Sequence, residues 1–381
     1  MHGYIRRLAE GALRKALQCA PVVALLGPRQ CGKSTLAKEF LKSRESTYVD
    51  LQDRVGRNRL TEPELFFEHH RDHLICLDEI QQLPELFSTL CSEVDRDRRP
   101  GRFLILGSAS RDLIRQSTET MAGRIAYLDL TPFFLCELPD TVATYEHWIR
   151  GGFPDSLLAG DEEASFDWRQ DFIRTFLERD IPSLGVNISV TVMERFWRML
   201  AHYHGQTINW SKLAESVSVS VPTLKRYLGI LEQTYMIRRL QPFEKNLKKR
   251  LVKSPKVYIR DSGILHGLLD VEDYDHLLGH PAMGASWEGY AMENIISVMP
   301  KWRPSYIRTS NGAEVDLVME RGERQVLFEF KASKAPRATR GFFEIRKILE
   351  PESAFLIAPV DIRYEYQPGV EVASPRFFQL D

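Results

Sequence analysis

One octapeptide constrains this chain more than anything else in it. Gly27-Pro-Arg-Gln-Cys-Gly32-Lys33-Ser34 follows the short apolar run Val22–Leu26 and opens the helix-favouring stretch Ser34–Lys42. A G-x-x-x-x-G-K-[ST] turn between strand and helix lets backbone N–H groups wrap a phosphate at the helix N-terminus. In such a loop Lys33 neutralises the β- and γ-phosphates and the Ser34 hydroxyl helps hold Mg²⁺. The expected cofactors are therefore ATP and Mg²⁺. The expected contacts run through Gly27, Pro28, Arg29, Gln30, Cys31, Gly32, Lys33, Ser34 and Thr35. Cys31, inside the loop, is expected to make ATP binding sensitive to oxidation.

A loop of this kind is carried by a parallel sheet. Apolar runs at Thr47–Leu51, Leu74–Leu77, Phe103–Leu106 and Ile125–Leu130 alternate with helical stretches such as Leu83–Val94, which predicts an α/β fold with helices on both faces. The run from Leu74 ends in Asp78-Glu79, placing one carboxylate to hold Mg²⁺ and the other beside the attacking water. The run from Leu104 ends at Ser108, which is suited to polarise the same water but also reads as an ordinary strand-to-turn serine.

Composition narrows the remaining choices. The 381 residues, 43% hydrophobic and 27% charged, are those of an ordinary globular protein. No apolar run approaches the ~18–20 residues of a membrane span and no signal-peptide pattern follows Met1, so a cytoplasmic protein without a membrane partner is expected. The five cysteines are odd in number and lack a C-x-x-C pair, against a disulfide framework or a zinc site. With 51 basic and 52 acidic side chains the net charge is −1, so a polyanionic partner would have to be met by a local patch.

Such a patch exists. Leu213–Val217 and Leu224–Leu231 read as two helices joined by a Ser-rich turn, with Pro222 in the first turn of the second; strands at Arg238–Pro242 and Lys256–Ile259 complete a winged helix-turn-helix. The second helix turns Thr223, Lys225, Arg226 and Gly229 outward, as a recognition helix does. Lys245, Lys248, Lys249, Arg250, Lys253 and Lys256 follow within twelve residues without an acid among them, a pattern suited to DNA phosphates. A protein-binding winged helix with a solvated basic loop is the competing reading.

The last third gives helix Trp287–Met299, strands Glu314–Met319 and Gln325–Phe330, helix Phe342–Leu349 and strand Ala354–Ile357. Asp316, followed thirteen residues later by Glu329-Phe-Lys331, has the spacing of PD-(D/E)xK nucleases. There Asp316 and Glu329 would hold a metal, Lys331 would orient water, and Glu288 would be the accessory carboxylate. A structural ion-pair strand pair is the other reading. The expected domains are an ATPase core at 1–130, a helical lid at 131–190, a winged helix at 191–260 and a nuclease-like α/β domain at 261–381.

The motifs at Gly27–Ser34, Leu74–Glu79 with its following Ile-Gln, Leu104–Ser110 and Ala122-Gly-Arg124 together resemble the AAA+ ATPases. More narrowly they resemble the prokaryotic proteins of AAA family 14, whose core is followed by the domain of unknown function 4143. The resemblance extends through Gly151–Pro154, Leu177–Asp180, Tyr258–Gly263 and Asn311–Lys331. It implies that Arg124 reaches a neighbouring subunit's nucleotide, with Arg111 and Arg179 as rivals, and that the enzyme works as a homo-oligomeric ring, most simply a hexamer. The expected catalytic set is Glu79, Lys33, Arg124 and Ser108. The expected function is ATP-driven remodelling of, or translocation on, DNA. A metal-dependent nuclease with a regulatory ATPase and a nucleotide-gated scaffold are the alternatives.

Overall fold

The computed structural model describes residues 3–108, 121–184, 188–244 and 251–378. Ser110, Arg111, Lys245, Lys248, Lys249 and Arg250 lie outside them. The chain divides into two compact units, one of Met1–Phe133 with Gln233–Tyr235, the other of Phe134–Glu232 with Met236–Asp381.

Five strands form the first unit's sheet: β1 (Val22–Leu26), β2 (Ser46–Asp50), β3 (Leu74–Asp78), β4 (Phe103–Gly107) and β5 (Ile125–Asp129), in the order β2-β3-β4-β1-β5. Every pairing is parallel, as strands joined by helical crossovers require. All residues of β1, β3 and β4 are buried, which explains their unbroken apolar runs. Because β1 lies beside β4 and one strand from β3, the ends of all three open at the same edge of the sheet. Helix Leu86–Arg96 turns Leu86, Phe87, Leu90 and Val94 onto this sheet, buries Glu93 against Arg102, and leaves Ser88, Ser92, Asp95 and Arg96 exposed.

The second unit joins three parts that the sequence reads separately. Its helical segment contains Glu162–Thr175, capped by Asp161, whose side chain accepts from Ala164 N, and continues into a π-helical turn over Phe176–Asp180. The motif Gly151–Pro154 meets the motif Tyr258–Gly263 here. Asp261 accepts from Gly152 N at 2.8 Å and Ile264 N at 2.9 Å. A Cβ on Gly151, at φ +76°, would stand 2.2 Å from Asp261 Oδ1, and one on Gly263 2.1 Å from Arg150 O. Close backbone approach therefore accounts for the glycines of both motifs.

Helices Trp210–Val217 and Val221–Gln233 follow, preceded by Val190–His202, which the sequence pattern does not identify. Strands β6 (Gln206–Thr207), β7 (Ile237–Leu240) and β8 (Lys256–Ile259) form a small antiparallel sheet with β8 in the centre. The six-stranded sheet contains β9 (Arg303–Arg308), β10 (Glu314–Arg321), β11 (Arg324–Phe330), β12 (Ser353–Ile357), β13 (Tyr364–Gln367) and β14 (Val370–Ala373), in the order β13-β14-β12-β11-β10-β9. Of these, β9, β13 and β14 are not anticipated from the sequence.

The wing strands β7 and β8 pair as the sequence order suggests, and the chain on either side of the basic run makes further contacts. Past β7 the chain pairs with β9, Phe243 N donating to Tyr306 O at 2.8 Å; before β8, Val252 N donates to Arg308 O at 2.8 Å. Both flanks of the basic run are thus held on what would otherwise be an open sheet edge. Phe243 enters the core of the six-stranded layer.

Candidate nucleotide site and acid cluster

The loop after β1 has its shape because of what surrounds it. A Cβ on Gly27 would lie 1.9 Å from Leu130 O, so only glycine fits. Gln30 (φ 60°) and Gly32 (φ 96°) take left-handed conformations that reverse the chain into helix Lys33–Leu41. Lys33 is buried and donates from Nζ to Gly27 O at 3.1 Å and Pro28 O at 2.7 Å. Its charge is thereby held inside the loop. Ser34 is half-buried at the first turn of the helix, and Thr35 is exposed.

Arg7, which no motif singles out, fastens the loop from outside. It is buried, donates to Cys31 O at 3.0 Å and Thr131 O at 2.6 Å, and lies 4.5 Å from the Phe133 ring centre. Its only sequence signal is an arginine set two residues before a helix. Cys31 corrects an expectation: its thiol is fully buried, 3.5 Å from Leu130 O, so oxidants in solvent do not reach it without opening the core.

At the end of β3, Asp78 is buried, accepts from Glu79 N at 2.9 Å and takes a hydrogen bond from the Tyr48 hydroxyl. Burial and then the Asp78 carboxylate push the Tyr48 phenol well above its ordinary pKa, so it remains a donor. Glu79 stands in the left-handed region at φ 56°, a costly conformation for a residue with a Cβ and one found where function fixes the backbone. Its Oε2 accepts from Ser108 Oγ at 3.2 Å and is also bonded by the Gln81 amide, which donates to Ser108 Oγ at 2.9 Å. Glu79 and Ser108, from two strand ends, are therefore in direct contact. Gln81 is the member to which no sequence motif assigns a role.

Arg124 precedes β5 as expected, but its guanidinium is bidentate to Asp95, with Nε and Nη2 each donating at 2.8 Å. Arg179 is exposed on the π-helical turn.

In the second unit, helix Val221–Gln233 buries Leu224, Tyr227, Leu228, Ile230 and Leu231 and exposes Lys225 and Arg226, with Thr223 half-buried. Lys225 lies 5.5 Å from the Trp210 ring centre, and Lys253 is exposed. Lys256 does not belong to the basic run. It is 3% exposed, and its Nζ meets Glu288 at 3.1 Å and Glu314 at 2.7 Å.

That pair opens the acid cluster. The β9–β10 register shifts between Val315 and Val318, a bulge of the kind that re-aims side chains, and Asp316 sits in it. On β10–β11, Leu317 faces Phe328, so the next step sets Asp316 opposite Glu329. Asp316 accepts from Phe330 N at 2.9 Å. Burial, then the Glu288 charge, push its pKa up to about 7. Glu329 accepts from Thr339 N at 3.2 Å and pairs with Lys331 at 2.8 Å; burial, then Asp316, raise its pKa. Asp316, Glu329, Lys331 and Arg340 line a pocket of about 600 Å³.

Comparison with known proteins agrees with this geometry. An AAA domain matches residues 20–138, a domain of unknown function (DUF8612) residues 142–275, and a domain of unknown function (DUF4143) residues 283–377. Uncharacterised proteins of Mycobacterium tuberculosis and Mycobacterium bovis are 40% identical over 97% of this chain and 83% of their own length. The chain belongs to this family of AAA-domain proteins with a C-terminal DUF4143 domain. The solved Walker-type ATPase of Pyrococcus abyssi, 16% identical, aligns with a TM-score of 0.51 over 70% of this chain and 96% of its own. The Thermotoga maritima RuvB Holliday junction branch migration motor, 18% identical, covers 61% of this chain and 88% of its own at a TM-score of 0.28. The AAA domain makes this protein a nucleotide-binding P-loop ATPase. No helix among the described residues is long and apolar enough to cross a membrane.

Proposed function

We propose that ATP turnover in the AAA domain drives remodelling of, or movement along, DNA by a homo-oligomeric ring of this chain. The observation that carries the DNA assignment is helix Val221–Gln233, with one face fully packed and Lys225 and Arg226 exposed on the other. Lys253, further along the chain, is exposed as well. A helix that buries one face and offers cations on the other can lie in a groove lined by phosphates. The sequence regions 131–190, 191–260 and 261–381 act in this reading as lid, DNA-reading winged helix and DNA-holding layer.

At the ATP site, Lys33 binds the β- and γ-phosphates within the loop. Ser34 and Asp78 supply one hydroxyl and one carboxylate, a donor set that with phosphate oxygens suits Mg²⁺. Mg²⁺ bound there neutralises charge on the phosphates. Glu79 accepts the proton of the attacking water, and Ser108 orients Glu79 through their hydrogen bond. Arg124, released from Asp95, completes a neighbour's site; Arg179 is the alternative donor.

The test is ATPase activity with single-stranded, duplex and branched DNA, on wild type and Glu79→Gln. DNA should stimulate the wild-type rate, and Glu79→Gln should bind ATP with at least a hundredfold slower turnover. A wild-type rate that DNA leaves unchanged, with no DNA bound at low salt, removes the DNA reading. Rapid turnover by Glu79→Gln removes the assignment of the base.

A further inference from the structure

The acid cluster of the six-stranded sheet does not fit a divalent cation. A metal requires carboxylate oxygens with lone pairs aimed at one point, and at least one oxygen of each of these carboxylates is already engaged by a protein donor. Glu288 Oε1 accepts from both Lys256 Nζ and the Tyr258 hydroxyl, the latter at 2.5 Å. Glu314 takes the same ammonium, Asp316 binds a backbone N–H, and Glu329 is shared between Lys331 and Thr339. Among the described residues no group of three or more His, Cys, Asp or Glu is arranged to hold a metal ion.

The buried positive charge inside this cluster belongs to a side chain. Lys256 comes from β8, the central strand of the small sheet, rather than from the sheet that carries Glu314, Asp316 and Glu329. Its register is fixed on both sides, with Thr207 on β6 and Leu240 on β7 as partners. Burying an ammonium costs several kcal/mol unless it is paired, and Lys256 is paired twice. Asp316 and Glu288 also act on it electrostatically. Tyr258, two residues along the same strand, reaches the same carboxylate as Lys256. One strand therefore delivers both donors to Glu288.

We propose that the Lys256 ammonium takes the place of a divalent cation in this cluster, so that the sheet carries a lysine-neutralised form of the acid-plus-Glu-x-Lys site and does not cleave phosphodiesters by a metal-dependent route. Glu314 and Glu288, which in a metal site would turn to the ion, here anchor β8 to β10 and to helix Met283–Val298. Lys331 and Arg340 also line the pocket, each paired with an acid, Glu329 and Glu344.

The test is Mn²⁺ binding to nucleotide-free, full-length protein, read by the paramagnetic resonance signal of the free ion and by thermal melting. Wild type should take up no Mn²⁺ that Asp316→Asn abolishes. Lys256→Met, similar in length and without charge, should bind one Mn²⁺ per chain at least tenfold more tightly than wild type and melt higher on its addition. Both gains should vanish in Lys256→Met/Asp316→Asn, while Lys256→Arg should behave as wild type. Wild-type protein that binds one Mn²⁺, lost in an Asp316→Asn variant whose melting transition shows it folded, overturns the proposal. A folded Lys256→Met that binds none also overturns it. Neither result depends on whether DNA stimulates ATP turnover.

Discussion

At the residue scale the phosphate loop is limited by backbone contact more than by side-chain chemistry. Gly27 is required because Leu130 O occupies the place of a Cβ, 1.9 Å away, and a backbone carbonyl just past β5, in a residue whose N–H is bonded to Leu26 O, cannot rotate aside as a side chain can. Gly27→Ala should therefore cost about 3 kcal/mol, the upper range for overpacking, measured by urea unfolding without nucleotide. A cost below about 1 kcal/mol would mean that the loop relaxes freely. Glu79 shows a different limit. Its left-handed backbone is strained, and Ser108 and Gln81 together hold its carboxylate. The sequence places Glu79 and Ser108 at neighbouring strand ends, since two apolar runs ending in polar residues specify as much. It does not place Gln81, because a residue one turn past a strand acquires its role from the turn. Nor does it reveal that Lys256 is buried, since a lysine in a basic run and a lysine paired with two distant carboxylates look alike until β8 is set against the acids.

At the element scale, buried histidines tie the second unit to pH. His266 hydrogen-bonds Ile149 O at 3.0 Å and Ser286 Oγ at 2.7 Å, while Trp148 Nε1 donates to the same Oγ at 2.9 Å. His204 Nδ1 accepts from Ile259 N at 3.0 Å. Burial is the main cause that lowers both pKa values to about 3. Because the unfolded chain protonates near pH ~6.5, their contribution to stability is complete above that value and is lost as pH falls toward 3. Each histidine should cost on the order of 1 kcal/mol per pH unit in that window. Thermal melting between pH 7.5 and 5 should show this fall, and His266→Gln should flatten its slope; an unchanged slope would place the acid sensitivity elsewhere. Element positions are largely legible in the sequence, since the buried strands of the first sheet are continuous apolar runs. The strands that escape it are β9, β13 and β14. Arg303 and Arg308 of β9 and Tyr364 and Glu365 of β13 are exposed, so charge interrupts the apolar pattern that marks a buried strand. The two-residue β6 is too short to show a pattern at all.

At the scale of the whole molecule, a net charge of −1 leaves any attraction to DNA to a local patch. If the helix Val221–Gln233 meets DNA, Lys225→Ala/Arg226→Ala should weaken binding similarly across sequences and reduce the slope of log affinity against log salt by about 2, one for each phosphate left without its cation. Titration at several salt concentrations measures it, and an unaltered slope would place DNA elsewhere. Arg7 has a mechanical consequence. Its guanidinium joins the phosphate loop at Cys31 to Thr131, while Leu130 N donates to Leu26 O at 2.6 Å. The strand that enters the loop and the chain that leaves the first unit are therefore clamped side by side. In the proposed cycle, a displacement of the loop when the γ-phosphate departs would be carried through this clamp to Leu130–Thr131, the segment that leads out of the ATPase unit.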